Sequence, residues 1–268
     1  MLWRILRNAR KSCIMLSFSE YGTATDAPAL LIVHGLYGSG RNWGVIAKRL
    51  SDNRKVITVD MRNHGDSPRA DSQSYEDMAS DLAEVIRHIG APMDVCGHSM
   101  GGKASMVLAL QHPDLVSRLI VADIAPVAYE HSQQEFIDAM RKVDLATVTR
   151  RSDAQEQLAA AGVEPALQSF FTQSIDIASK TWKLNLDVLE AEMPKIVGWP
   201  SHIVGPFDGP AFFLSGGTSD YVLSSHRPAI KGLFPNAYFA KLPGVGHWLH
   251  AENPRDFEAS VRAFLGQS

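Results

Sequence analysis

The segment Gly97-His98-Ser99-Met100-Gly101 places one serine two residues from a glycine on either side. A serine hydroxyl attacks a carbonyl carbon when a base takes its proton and fixed N–H donors hold the oxygen that turns negative. MDVCG (93–97) ahead of it reads as a short apolar strand, and Met100 to Gln111 behind it as a helix. A serine on the sharp turn between two such elements sits on strained backbone, so the positions two before and two after it must be tiny. The turn lifts the hydroxyl above the strand ends, where N–H groups of the helix start point at the same space. Ser99 is therefore the candidate nucleophile.

The other parts of such a machine have candidates too. His34-Gly35-Leu36-Tyr37-Gly38 ends an apolar strand, and Leu36 N–H can join Met100 N–H as an oxyanion donor. His34, placed at the strand end itself, reads as a hydrogen-bonded structural histidine. For the base, Gly244-Val245-Gly246-His247-Trp248 offers an imidazole on a loop that two glycines allow to fold back. His64, His98 and His250 are its nearest rivals, and the order serine, acid, histidine favours His247. The acid must accept a hydrogen bond from that histidine. Asp123 in VADIAP and Asp220 in GGTSDYV both follow strands, and spacing does not choose between them.

The elements that must position these residues alternate. ALLIVHG (29–35), Val56–Val59, MDVCG (93–97), RLIVADIAP (118–126), AFFLSGG (211–217) and AYFAKLPG (237–244) read as strands. Between them, Ser74 to Gly90 carries Met78, Leu82, Val85, Ile86 and Ile89 on one helical face. Such alternation predicts a mostly parallel sheet with helices on both faces. Residues 127–205 break the rhythm: they hold helix-like stretches at Gln133–Val143, Asp153–Ala161 and Trp182–Glu192, and no strand-like run. This stretch reads as a helical cap inserted over the strand ends.

Composition bounds the class. The chain has 268 residues, 45% of them apolar and 21% charged, with a net charge of −3. That is one globular domain, here read as residues 16–268, with no electrostatic reason to bind nucleic acid. No run approaches the roughly 18–20 apolar residues of a membrane span. The two cysteines, Cys13 and Cys96, suggest neither a disulfide framework nor a zinc site. Residues 1–15 stand apart, with Arg4, Arg7, Arg10 and Lys11 and no acid before Glu20. With those four of the 26 basic residues set aside, 22 remain against 29 acidic ones. Wound as a helix, Leu2, Leu6, Ala9 and Cys13 form one stripe and Arg4, Arg7 and Lys11 another. Two readings stay open: a mitochondrial transit peptide, giving a matrix protein if the source is eukaryotic, or an extension upstream of a start at Met15, giving a cytoplasmic one.

VHGLYGSGRNW, VDMRNHGDSP, GHSMGGKASM, ADIAPV, FLSGGTSDYV and GVGHWLHAENP together resemble the small α/β-hydrolase esterases of bacteria and their mitochondrial relatives. The match runs from about residue 29 to 265 and is weakest in the cap. It implies the α/β-hydrolase fold and hydrolysis of acyl esters or thioesters, with acyl transfer to an alcohol in some members. It also implies that Ser219 stands where other hydrolases carry the acid and that Asp123 serves instead, although Asp220 beside Ser219 keeps the question open. Asp187 in KLNLDVL is a third candidate. The expected reaction is attack by Ser99, proton transfer through His247 and an acyl-enzyme that water opens, with no metal or organic cofactor. Tyr37 and Trp248 are expected to line an apolar acyl pocket. Ser99 excludes the halide- and epoxide-cleaving members, which use aspartate. Carbon–carbon bond hydrolases, acyltransferases and non-catalytic ligand-binding members keep the same fold.

Overall fold

The computed structural model describes residues 14–130 and 133–266. Its sheet strands, numbered in chain order with two short ones inside the helical insertion, are β1 (Phe18–Tyr21), β2 (Leu30–Val33), β3 (Val56–Val59), β4 (Met93–His98) and β5 (Val116–Ala122). The two short ones are β6 (Ile175–Asp176) and β7 (Thr181–Trp182), and β8 (Ala211–Gly216) and β9 (Ala237–Leu242) complete the sheet. Seven of them run in the order β1-β3-β2-β4-β5-β8-β9. Only β1 is antiparallel to its neighbour, pairing Phe18 with Val59 through Tyr21 with Val56. The remaining pairs are parallel.

The continuous apolar runs of β2, β3 and β4 are explained by burial on both faces, every residue of each being buried. Alternation then sends successive residues to opposite cores. Leu31, Val33, Val95 and Leu119 join one core, which also receives the helices α2 (Tyr75–Ile89) and α3 (Met100–Gln111). Leu30, Ile32, Cys96 and Ile120 join the other, against α1 (Gly44–Leu50). Ser74 caps α2 by accepting from Asp77 N–H at 3.2 Å, and Gly90 follows its last turn at φ 136°.

Between β5 and β8 the chain forms α4 (Gln134–Arg141), α5 (Arg151–Ala160), α6 (Pro165–Thr172), α7 (Leu186–Ala191) and α8 (Met193–Val197). The later helices are α9 (Arg227–Leu233), α10 (Leu249–Glu252) and α11 (Pro254–Phe264), and α11 sends Phe257 and Val261 into the second core. Three details differ from the sequence reading. The edge strand β1 is new, because a four-residue strand exposed along one side has no apolar run to mark it. The helical segment contains the hairpin β6–β7, whose strands are two residues each and too short to show a period. The stretch Trp182–Glu192 is helical only over Leu186–Ala191: Trp182 belongs to β7, its indole donating to the Met140 carbonyl at 3.2 Å. Most of the basic start, including Leu2, Arg4, Leu6, Arg7, Arg10, Lys11 and Cys13, lies outside the described residues. Ile14 N–H already donates to Asp81 at 2.8 Å, and Leu16 is buried. Among the described residues no helix is long and apolar enough to cross a membrane.

Candidate active site

Strand order reverses between β2 and β4, and the loops leaving their carboxyl ends open a crevice there. Ser99 stands at that point, the residue between β4 and α3, with φ 53° and ψ −121°. Its flanking glycines are required by contact rather than by flexibility. A Cβ on Gly97 would lie 2.4 Å from the Gly101 carbonyl oxygen, and one on Gly101 would lie 2.3 Å from that of His34. The strained serine is thus clamped between β2 and its own helix.

The loop that the sequence offers as an oxyanion donor follows β2. A Cβ on Gly35 would meet Ser99 Cβ at 3.1 Å, so the backbone leading to Leu36 passes directly beside Ser99. Met100 opens α3, in the turn whose N–H groups have no intrahelical acceptor. Beneath the loop sit two fully buried histidines. His34 Nε2 accepts from Met61 N–H at 2.8 Å, which leaves Nδ1 to donate to the Gly35 carbonyl at 2.7 Å. His64 Nε2 accepts from Tyr37 N–H at 3.2 Å, and its Nδ1 donates to the Arg62 carbonyl at 2.9 Å. Burial without a carboxylate partner holds their pKa values down at about 4 and about 3, so both are neutral struts.

His247 is placed differently. Its Nε2 lies 3.1 Å from Ser99 Oγ and its Nδ1 2.8 Å from Asp123 Oδ2. Three further contacts fix the ring. Tyr221 stacks on it at 3.9 Å with 21° between planes, Trp248 meets it edge-on at 5.6 Å, and His98 Nε2 donates to the His247 carbonyl at 2.8 Å. Asp123, fully buried just after β5, also accepts from Gly216 N–H at 2.9 Å and from the Ser219 hydroxyl. Of the three carboxylates weighed from sequence, Asp123 alone is at the imidazole. Asp220 is exposed, and Asp187 is 91% exposed in an ion pair with Arg141 at 2.7 Å. His250 stacks on Trp43 at 3.8 Å, away from Ser99's hydrogen bonds.

A cavity of roughly 300 Å³ opens above Ser99 and His247. Leu36, Tyr37 and Trp248 line it from the sheet side, with Phe136, Leu167 and Phe171 from the helical segment. Tyr37 ties the two together: its hydroxyl donates to the Gln133 carbonyl at 2.9 Å and its carbonyl accepts from Ser174 at 3.1 Å. Sequence reasoning missed Tyr221 and Lys103. Tyr221 left no signal, since a stacking partner across loops has no spacing to read. Lys103 did leave one, as the lone charge in the otherwise uncharged helix MGGKASMVLALQ.

A serine at a strained strand–helix turn, facing a histidine backed by a buried carboxylate above a parallel sheet, defines a hydrolase. The chain belongs to the α/β-hydrolase fold family, whose model matches residues 28–254. It is 39% identical to the mouse sn-1-specific diacylglycerol lipase ABHD11, over 96% of this chain and 87% of that protein. It is 37% identical to the Escherichia coli esterase YbfF, over 88% of this chain and 92% of that one. The solved structure of a marine microorganism esterase matches with a TM-score of 0.89 at 39% identity, covering 94% of this chain and 99% of that one. The protein is an enzyme of the ester-hydrolase class.

Proposed function

We propose that Ser99, His247 and Asp123 form the catalytic triad of a serine hydrolase that cleaves carboxylic acyl esters or thioesters through an acyl-enzyme. One observation carries the reading: the hydrogen-bonded line from Ser99 Oγ through His247 to Asp123, at 3.1 and 2.8 Å, faces an apolar cavity. His247 Nε2 takes the serine proton as Oγ attacks the acyl carbon. Leu36 and Met100 N–H hold the oxyanion, and Asp123 stabilises the imidazolium without taking its proton. The leaving alcohol or thiol departs with that proton, and water deacylates Ser99 by the reverse path. The helical segment at about 127–205 acts as a cap on a single domain beginning near residue 16, and its aromatic wall receives the acyl chain. The diacylglycerol lipase and esterase relatives support a carboxylic ester as substrate. The protein works in the cytoplasm, or in the mitochondrial matrix if residues 1–15 direct it there.

Ser99→Ala tests this. Hydrolysis of 4-nitrophenyl esters should fall about 10⁵–10⁶-fold with the fold intact, and a fluorophosphonate should label wild-type Ser99 alone. Comparable activity in the variant, or labelling at Ser219, overturns the assignment. A panel of acyl esters, acyl-CoAs and vinylogous diketones, with and without added alcohol, separates hydrolysis from acyl transfer and from carbon–carbon bond cleavage.

A further inference from the structure

One turn along α3 from Ser99, Lys103 is 1% exposed and lines the cavity. Its ammonium donates to the Val197 carbonyl at 3.0 Å and the Gly198 carbonyl at 2.5 Å, at the end of α8. The rings of Tyr129 and Tyr75 lie 4.7 and 5.6 Å from it. A lysine ammonium has three N–H donors. Two have acceptors here, and among the described residues no carboxylate pairs with it. Burial alone shifts it, lowering its pKa to about 7 with no acid to oppose the shift. A buried cation without a counterion is costly, and two carbonyls and two tyrosine faces offset that cost only in part.

We propose that Lys103 is an anion-binding residue of the acyl pocket, selecting acyl groups that carry a carboxylate at their far end. The inference rests on Ser99 as the nucleophile of this same cavity. Four residues of helix separate the two along α3, a rise of about 6 Å. Both residues line the same cavity, so an acyl chain attached at Ser99 and lying in that cavity brings its far end toward the ammonium, and a carboxylate there completes the missing ion pair. The third N–H gains an acceptor, and the charge-assisted bond forms in a cavity whose wall around the ammonium includes Tyr75, Tyr129, Ile196 and Val197. A methyl group at the same place leaves the ammonium as it was. The discrimination therefore comes from a buried charge that a neutral chain leaves without a counterion, and a site built around buried polar groups discriminates strongly.

The test compares kcat/KM for mono-4-nitrophenyl esters of succinic, glutaric and adipic acids with that for their methyl-capped diesters. The assay is run at pH 6.5, below the value of about 7 to which burial lowers the Lys103 ammonium. Wild-type enzyme should favour at least one free carboxylate over its capped partner by about tenfold or more, and Lys103→Met should bring that ratio to one or below. A wild-type preference for every capped ester, or a ratio unchanged in Lys103→Met, overturns the proposal. Should Lys103→Met fail to fold, inhibition of wild-type enzyme decides. Free glutarate or adipate should compete with a neutral ester substrate, and butyrate or hexanoate should compete at least tenfold more weakly. Equal inhibition by the two sets overturns it. Absence of a carboxylate preference in wild-type enzyme, while Ser99→Ala still abolishes neutral-ester hydrolysis, removes this proposal alone. Hydrolysis that survives Ser99→Ala removes the reading on which it rests.

Discussion

Two sets of histidines sit at the carboxyl ends of the strands, and their partners differ. Beneath the oxyanion loop, His34 and His64 bond only to backbone groups, each ring nitrogen having one fixed role. Facing the cavity, His247 has a buried carboxylate on one nitrogen and a serine hydroxyl on the other. His34 and His64 are fully buried and His247 keeps 14% of its side chain exposed, a difference of degree that does not by itself separate their roles. The partners do. A histidine that accepts from one N–H and donates to one carbonyl is locked neutral, and gaining a proton breaks its acceptor bond. A histidine between a carboxylate and a hydroxyl can accept a proton at one end while the charge is compensated at the other. The same side chain is a strut in one place and, in the proposed reaction, a proton carrier in the other.

The largest effect expected from breaking this contrast is at Asp123. Asp123→Asn leaves the shape but offers Nδ1 an amide, which favours the wrong imidazole tautomer. Turnover should fall on the order of 10³–10⁴-fold with the melting temperature shifted far less in proportion. A loss below tenfold would move the acid elsewhere.

His64→Phe probes the strut. It keeps an aromatic ring but leaves Tyr37 N–H and the Arg62 carbonyl without partners in a buried site, a cost of about 1–3 kcal/mol for such a group. The loop bearing Leu36 N–H loses its anchor, and since an oxyanion donor is worth about 10²–10³ in kcat, a partial displacement should lower kcat roughly tenfold. KM should change little. An unchanged kcat beside a lowered melting temperature would confine His64 to stability.

Acid titration sharpens the same comparison. Burial lowers His34 to about 4 and His64 to about 3, below the unfolded value of 6.5. As pH falls below 6.5 the unfolded chain takes up these protons first, so the stability contributed by neutral burial is complete above about 6.5 and drains toward pH 4 and below. Chemical denaturation across that window should show wild-type stability falling faster than that of His64→Phe. The difference is bounded by about 1.4 kcal/mol per pH unit, the worth of one proton. Parallel curves would mean that His64 is protonated in the folded state.

The smallest effect belongs to Asp220→Asn. The side chain is exposed beside Ser219 and makes no contact with His247, so kcat/KM should stay within about twofold. A loss approaching that of Asp123→Asn would show that the two carboxylates share the imidazole.

How much of this was readable in advance follows from physical range. β2, β3 and β4 could be placed within a residue or two because burial on both faces demands unbroken apolar runs. Ser99 was readable because the strained turn dictates its neighbours at fixed offsets, and the structure shows backbone oxygens where Cβ atoms of Gly97 and Gly101 would stand. The helical segment was read less well. Its hairpin and the true extent of α7 depend on contacts such as the Trp182 indole with Met140, 42 residues away.

The sequence by itself determined the class of protein and the order of the candidate parts: a serine between strand and helix, a glycine-bearing loop after an apolar strand, a late histidine on a glycine loop and a sheet to hold them. These are local or periodic features, set by steric demands within a few residues. Which carboxylate meets His247 was decided only by the tertiary structure. Asp123 and Asp220 are equivalent as members of a string, both just past apolar strands. They differ because β5 lies between β4 and β8, so that Asp123, at φ 50°, points its carboxylate to Gly216, Ser219 and His247 while Asp220 is left in solvent. Likewise a lysine in an apolar helix is visible in the sequence, but what surrounds its ammonium is set by Tyr75, Tyr129 and the end of α8. Those residues lie 26 to 95 positions from it and are brought together by packing across elements.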